Sequence, residues 1–426
     1  MPLNLPRSRA EIEAIQRTRK RLAVETARRA PFYRGKLDHI DLAKLDDPAE
    51  WAKIPILDKD MLRALSDREF YAQFCLPGPI AEYWRSGGVT GTPLFYPRSP
   101  TDMEYALLSF ARVFQCTGCA RGERAHLSFP LGIHPVGQVL ARAAQREGIA
   151  VNWAGSGTTT PSALQIELIQ RLEPDIWLGM SSYGLHLANL AELRGISLAR
   201  GSVRKILCSA EPLSDAKRAK IAHAWGAEVF DTFGMTEAGM MGAEAAARDG
   251  FHVWTDLYAI EVVDPATGQP VPEGTVGALV VTPLWTNTVT PFLRWSSGDL
   301  VSYRAEGASD GPFAVFPVIK HAHRTTGFFK LRGINLNHVE LEDFMFRNAQ
   351  VGDFKAELVT LRDLDCLRLS IEIRPGADPA AVAAGLAADL RNSFEVTPEL
   401  VVLDAGTLAQ EFESGVKAPR FVDRRG

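Results

Sequence analysis

The chain reads as α/β and α+β, a large multi-layer N-terminal region followed by a small α+β C-terminal one. Three observations predict this. Between residues 124 and 225, apolar runs alternate with amphipathic helical stretches, the mark of a largely parallel sheet layered with helices. From about residue 250 the texture shifts to short β-rich segments broken by turn sequences such as DPATGQ and PEGTVG. Beyond HRTTGFFKLRG, paired strand patterns surround one helix-like run.

Taken in order, the first eighty residues alternate helical stretches with breakers, and in KIPILDKDMLRALS the Leu57-Asp58 turn after Pro55 introduces a helix. In the middle, GERAHLSFP leads into HPVGQVLARAAQREG and IAVNWAG into PSALQIELIQRLEP. DIWLGM then leads into SYGLHLANLAELRG, and RKILCSA into SDAKRAKIAHAWG. HVWTDLYAIEVVDPATGQPVPEGTVGALVVTPL reads as strands of an antiparallel or mixed sheet. FKAELVTLRDLDCLRLSIEIRP reads as paired strands and DPAAVAAGLAADLRNSF as a helix, while the charged tail suits solvent. The expected division is 1–325, with 248–325 as its β-rich subregion, and 326–426, with the boundary near Thr326–Gly327.

The 426 residues carry 47 Lys+Arg against 51 Asp+Glu, a formal net charge of -4. No general attraction to nucleic acid follows, and no basic stripe interleaved with aromatics occurs. No apolar run is long enough for a membrane span, so no membrane partner is expected and the location is cytoplasmic by default. Five scattered cysteines argue against a disulfide framework. Cys116 and Cys119, with His126 and His134 downstream, are better explained as buried thiols than as a metal site.

Four stretches can carry chemistry. SGGVTGTP offers the glycines Gly87, Gly88 and Gly91 with the hydroxyls of Ser86, Thr90 and Thr92, a loop able to wrap phosphate oxygens or to make an ordinary turn. It lacks both the Walker lysine and the GxGxxG spacing. In VFDTFGMTEAG, Thr236 can donate to phosphate and Glu237 is a hard oxygen ligand suited to Mg²⁺. The alternative there is a strand turning into a helix capped by Thr236. In RWSSGDLVSYR, Asp299 can accept two ribose hydroxyls or sit exposed in a serine–glycine turn. RTTGFFKLRGINLNHVELED combines Arg324 and Arg332 with two glycines, and Lys417 follows Gly415 near the tail.

In this order and spacing, the pieces resemble the phenylacetate-CoA ligase, or aryl-CoA ligase, branch of the adenylate-forming superfamily. SGGVTGTP looks like its phosphate loop, SAEPLS at 209–214 like its adenine-contacting segment, and DTFGMTE at 231–237 like its aromatic–glycine–hydroxyl–acid motif. SSGDL at 296–300 resembles its ribose-binding motif, and RGINLNHVE at 332–340 the start of its C-terminal domain. PFYRGKLD and IPILDKDMLR share the family's N-terminal look. The resemblance implies a large adenylate-forming N-terminal domain with a small mobile C-terminal one. It also implies ATP, Mg²⁺ and coenzyme A as cofactors, a homodimer, and an acyl-adenylate intermediate. Carried over residue by residue, Ser86, Thr90 and Thr92 enclose the β/γ-phosphates. Ser209, Ala210, Glu211 and Pro212 lie by the adenine, with Asp231, Thr232 and Phe233 as its stacking wall. Thr236 meets the α-phosphate, Glu237 the metal, and Asp299 and Arg324 the ribose. Lys417 serves the first half-reaction, and the face around Gly333 the second. Two departures stand out: Thr92 precedes Pro93 where the family often has lysine, and Thr325, Thr326 and Gly327 follow Arg324 where it usually has paired aspartates.

The acid expected is small and aromatic, such as benzoate, anthranilate or phenylacetate, with Phe129, Ile133, His134, Gly157, Tyr183, Phe233 and Gly234 as wall candidates. The thiol acceptor is coenzyme A, with a carrier-protein phosphopantetheine as the alternative. A nucleotide- and acid-binding sensor without turnover is the rival class.

Overall fold

A computed structural model of the chain describes residues 3–85, 93–324, 328–331, 334–361, 364–415 and 418–425. Its contacts divide it into two bodies. One comprises Met1–Gly122, Leu131–Ala150 and Phe230–Thr325, the other Glu123–Pro130, Val151–Val229 and Thr326–Gly426.

The first body is built on an antiparallel sheet. Its strands run in the order Tyr258–Val263, Val276–Pro283, Trp295–Arg304, Val318–Arg324, Phe251–Val253, Gly239–Glu244 and Glu228–Met235. Leu57–Asp58 adds a short parallel strand beside Trp295–Ser296, and Asp58 then caps the helix Lys59–Arg63 by accepting from the Met61 amide at 2.9 Å. The helix Pro100–Cys116 starts at a reciprocal Ser99–Asp102 cap with proline in its first turn, so backbone donors at its buried N-terminus are satisfied. A separate apolar cluster joins Tyr33, Leu37, Trp51, Phe70, Phe74 and Phe292 under the N-terminal segment. Its close ring contacts include Phe74 and Phe292 at 5.2 Å.

The second body holds the parallel sheet that the alternating pattern predicts. Arg124–Leu127, Ile176–Gly179 and Lys205–Cys208 pair in parallel, and Ala150–Trp153 lies beside the first. The helices Ser162–Leu172, Ser181–Leu193 and Asp215–Trp225 follow strands in the same order. The chain's last hundred residues supply a four-stranded sheet in the order Glu399–Leu403, Leu364–Ile373, Val351–Leu361, Phe421–Asp423. A hairpin, Phe328–Leu331 with Ile334–Asn337, precedes the helix His338–Arg347, and Pro379–Phe394 is helical. Here the expectation of a solvated tail is corrected. Phe421–Asp423 is a parallel strand of the sheet, Ala418 and Arg420 are buried, and Arg420 Nε donates to Asp353 at 2.9 Å. Burial of the Arg420–Asp353 pair draws the charged tail inward. Among the described residues no helix is long and apolar enough to cross a membrane.

Candidate nucleotide and acid site

The stretch VFDTFGMTEAG forms a hairpin, not a strand capped into a helix. Glu228–Met235 pairs antiparallel with Gly239–Glu244, and Thr236 and Glu237 sit in the turn between them. Gly234 has no room for a side chain, since a Cβ there would stand 2.6 Å from the Gly239 carbonyl oxygen. Asp231 and Thr232 are buried behind the turn. The Asp231 amide donates to the Glu244 carboxylate at 2.7 Å, and the Thr232 amide to Asp231 Oδ1 at 2.9 Å.

Sequence reasoning missed the residue that fixes this turn. Arg98, fully buried, donates through one nitrogen to the carbonyls of Thr236 and Glu237 at 2.6 and 2.7 Å, and through the other to the Thr286 carbonyl at 2.8 Å. One planar cation thereby holds the backbone of both functional residues. Tyr96, two residues earlier on the same strand, donates its hydroxyl to Glu237 Oε1 at 3.1 Å. Burial raises the Glu237 carboxyl above the usual carboxylate range, so a cation beside it would favour the charged form. Nothing in FYPRS marks Tyr96 or Arg98 as partners of a turn more than a hundred positions away.

Asp299 is not an exposed turn residue. It lies within the strand Trp295–Arg304, buried, opposite Arg324 across the antiparallel ladder. Ser297 donates to its Oδ2, and His321 Nε2 lies 3.1 Å from Oδ1. The Phe233 ring is 6.0 Å from the His321 ring and 5.4 Å from Phe251. His321 therefore links the aromatic of DTFGMTE to the carboxylate of SSGDL, a second partner the motifs did not reveal.

In the same body, strands Glu82–Arg85 and Phe95–Arg98, which bracket the hydroxyl loop in the sequence, pair antiparallel. Ser86, Gly87, Gly88, Thr90, Gly91 and Thr92 themselves lie outside the described residues, as do Thr325–Gly327, Gly333, Lys417 and the Arg324 side chain. His134 is the residue before the helix Pro135–Arg146 and makes no capping bond, and Ile133 beside it is exposed. Cys116 is buried with its Sγ 3.7 Å from the Ala243 carbonyl oxygen. No three potential metal ligands cluster among the described residues.

In the second body, SAEPLS follows the strand Lys205–Cys208, and Ala210 adopts a left-handed φ of 69° that costs a non-glycine residue about 1–3 kcal/mol. Next to it, Glu211 accepts from the Ser182 amide at 3.0 Å and from its hydroxyl at 2.8 Å, placing a carboxylate on the N-terminus of the helix Ser181–Leu193. Phe129 is fully buried. Tyr183 is also buried, its hydroxyl 2.9 Å from Ser162 Oγ, and the Phe412 ring lies 5.5 Å from it. Gly157 packs on the Phe412 carbonyl. Phe412 thus stands beside Gly157 and Tyr183, two of the expected wall residues.

The model of the AMP-binding enzyme family matches residues 102–285. The chain is 30% identical over 376 residues to the phenylacetate-coenzyme A ligase of Thermus thermophilus, covering 86% of this chain and 82% of that protein. It is 28% identical to the phenylacetate-coenzyme A ligase of Aromatoleum evansii, over 98% and 96% of the two chains. A crystal structure of 2-hydroxyisobutyryl-CoA ligase, in the postadenylation state with 2-HIB-AMP, superposes with a TM-score of 0.85. It shares 22% identity and covers 99% of this chain and 94% of that one.

Proposed function

The chain belongs to the phenylacetate-coenzyme A ligase family, and from that premise we propose that it activates a small aromatic carboxylic acid with ATP and passes the acyl group to coenzyme A. The observation that carries this reading is the grouping, within one body, of the Thr236–Glu237 turn held by Arg98, the Phe233 ring, and Asp299 bound to His321. This is the set a nucleotide requires: a hydroxyl and a carboxylate for its phosphates and counter-ion, a ring for its base, and a carboxylate for its ribose.

A carboxylate is a poor electrophile. Its oxygen attacks the α-phosphorus, pyrophosphate leaves, and the acyl carbon of the mixed anhydride then accepts a thiolate as AMP departs. Thr236 donates to the α-phosphate and Asp299 accepts from the ribose hydroxyls. Glu237 offers the oxygen for Mg²⁺, which when bound would draw charge from the phosphate oxygens. Lys417 brings an ammonium to the carboxylate and α-phosphate in the first step. We keep 326–426 as the part that moves between the two steps. Within the first body, Ile133, His134, Phe233 and Gly234 are the residues we assign to the acid wall.

Acid-dependent ATP–pyrophosphate exchange across benzoate, anthranilate, salicylate and phenylacetate, followed by detection of the acyl-CoA, tests the proposal. At least one acid is expected to drive exchange and yield a thioester. Binding of acid and nucleotide without pyrophosphate release would leave only a sensor. Yield with free coenzyme A against a pantetheinylated carrier decides the acceptor.

Glu237→Gln keeps the size of the side chain and an acceptor for Tyr96 while removing the charge. It is expected to lower exchange roughly a hundredfold, the scale of one lost electrostatic contact in a reacting site. More Mg²⁺ should be needed for half-maximal rate. An unaltered Mg²⁺ dependence would remove Glu237 from the metal's coordination.

A further inference from the structure

We propose that Phe412 is a positioning residue for acyl-adenylate formation, seating the segment that bears Lys417 on the helix Ser181–Leu193. The inference rests on the reading of Lys417 given above and names what holds it in place.

Phe412 lies in the short helix Gln410–Ser414 and is only 2% exposed. Its ring stacks on His186, with centroids 5.0 Å apart and planes inclined by 18°, and tilts against Tyr183. The floor beneath it is polar and internally satisfied. His186 Nε2 lies 3.0 Å from Ser162 Oγ, which in turn lies 2.9 Å from the Tyr183 hydroxyl, and all three residues are buried. Burial, aided by the Arg420 charge, pulls His186 down to about 3, so a neutral imidazole faces the phenyl ring at neutral pH. The backbone fits as closely as the ring. A Cβ on Gly157 would stand 2.5 Å from the Phe412 carbonyl oxygen, and the Glu413 carboxylate accepts from the Ser162 amide at 3.1 Å.

The described chain is anchored on either side of position 417 in the sequence. Before it, Phe412 is seated and Glu411 pairs with Lys355. After it, Arg420 is clamped by Asp353, its guanidinium 5.1 Å from the Phe412 ring centroid. In the sequence, five peptide units separate Phe412 from Lys417. The same helix that receives Phe412 through Tyr183 and His186 receives Glu211, of the adenine-contacting segment, at Ser182. One helix thus receives both the adenine-contacting segment and the short helix Gln410–Ser414 that precedes Lys417 in the sequence. An apolar residue between the acids of EFES is otherwise a poor choice for a surface helix.

Phe412→Ala and Gly157→Ala attack the seat from opposite sides, one emptying it and one forcing the backbone out. With the acid selected by the exchange panel, each variant of the full chain is expected to lose about tenfold to a hundredfold in pyrophosphate exchange. Thioester formation from supplied acyl-adenylate and coenzyme A should stay within about threefold. Phe412→Leu, which refills the seat, should recover most of the exchange. Hydrogen exchange of the Gln410–Ser414 amides in the intact chain should rise in both damaging variants and not in Phe412→Leu. Equal loss of both half-reactions would make the contact merely structural and overturn the proposal. Exchange within twofold of the parent chain would overturn it too, provided Lys417→Ala abolishes exchange. If Lys417→Ala itself leaves exchange intact, the reading of Lys417 fails instead.

Discussion

Lys417→Ala is expected to lower acid-dependent pyrophosphate exchange by about 10²–10³, the range for removing one preorganised group from a developing charge. It should leave thioester formation from supplied acyl-adenylate within about threefold. The asymmetry follows from where charge accumulates. In the first step an anionic carboxylate meets an anionic phosphate, and a fixed ammonium relieves repulsion that peaks in the transition state. In the second step a thiolate meets an uncharged acyl carbon and AMP carries the charge away, so the lysine has nothing comparable to stabilise. Arginine is a poor replacement, because its planar fork delivers charge at a different depth. Measuring the two half-reactions separately checks the assignment, and parallel losses would end it.

The largest stability effect belongs to Asp256. Arg112, on the helix Pro100–Cys116, donates to both Asp256 oxygens at 2.6 and 2.7 Å, and the two side chains are 1% and 0% exposed. Asp256→Ala strands a guanidinium in the interior and is expected to cost about 3–5 kcal/mol. Arg112→Met combined with Asp256→Leu removes both charges and should regain most of that loss, since an apolar pair needs no solvation. Urea titration followed by tryptophan fluorescence reads the cost, with Trp285, which donates to the Asp256 carbonyl at 2.9 Å, as one of eight reporters. A cost below about 1 kcal/mol, the scale of an exposed pair, would mean that the cluster is wet.

Layering was legible because periodicity is a local property. Short apolar-rich runs followed by helical spacing mark Ile176–Gly179 with Ser181–Leu193 and Lys205–Cys208 with Asp215–Trp225 without knowledge of their neighbours. The hairpin Val351–Leu361 with Leu364–Ile373 announces itself in the same way. Motif positions were legible, but what holds them was not. Arg98 grips the Thr236 carbonyl from 138 positions away, and a lone arginine after proline carries no mark of that role. Asp299 read equally well as an exposed turn, because a serine–glycine pair permits a bend, and Gly298 does take a φ of 82° within a strand that pairs on both sides, with Val276–Pro283 and with Val318–Arg324. The tail misled for an electrostatic reason. Dense charge suggests solvent, yet Arg420 with Asp353 and Arg425 with Asp365 compensate one another across strands that only tertiary structure brings together.

The union of Ser162 with Glu413 spans 251 positions of chain. A ribosome adding about 5–20 residues per second needs roughly 13–50 s to cover that interval. For most of it, the surface of Tyr183 and His186 is expected to lack the Phe412 ring that covers it in the finished fold. Holdase chaperones should bind stalled ribosome complexes carrying residues 1–400 more tightly than released full-length polypeptide.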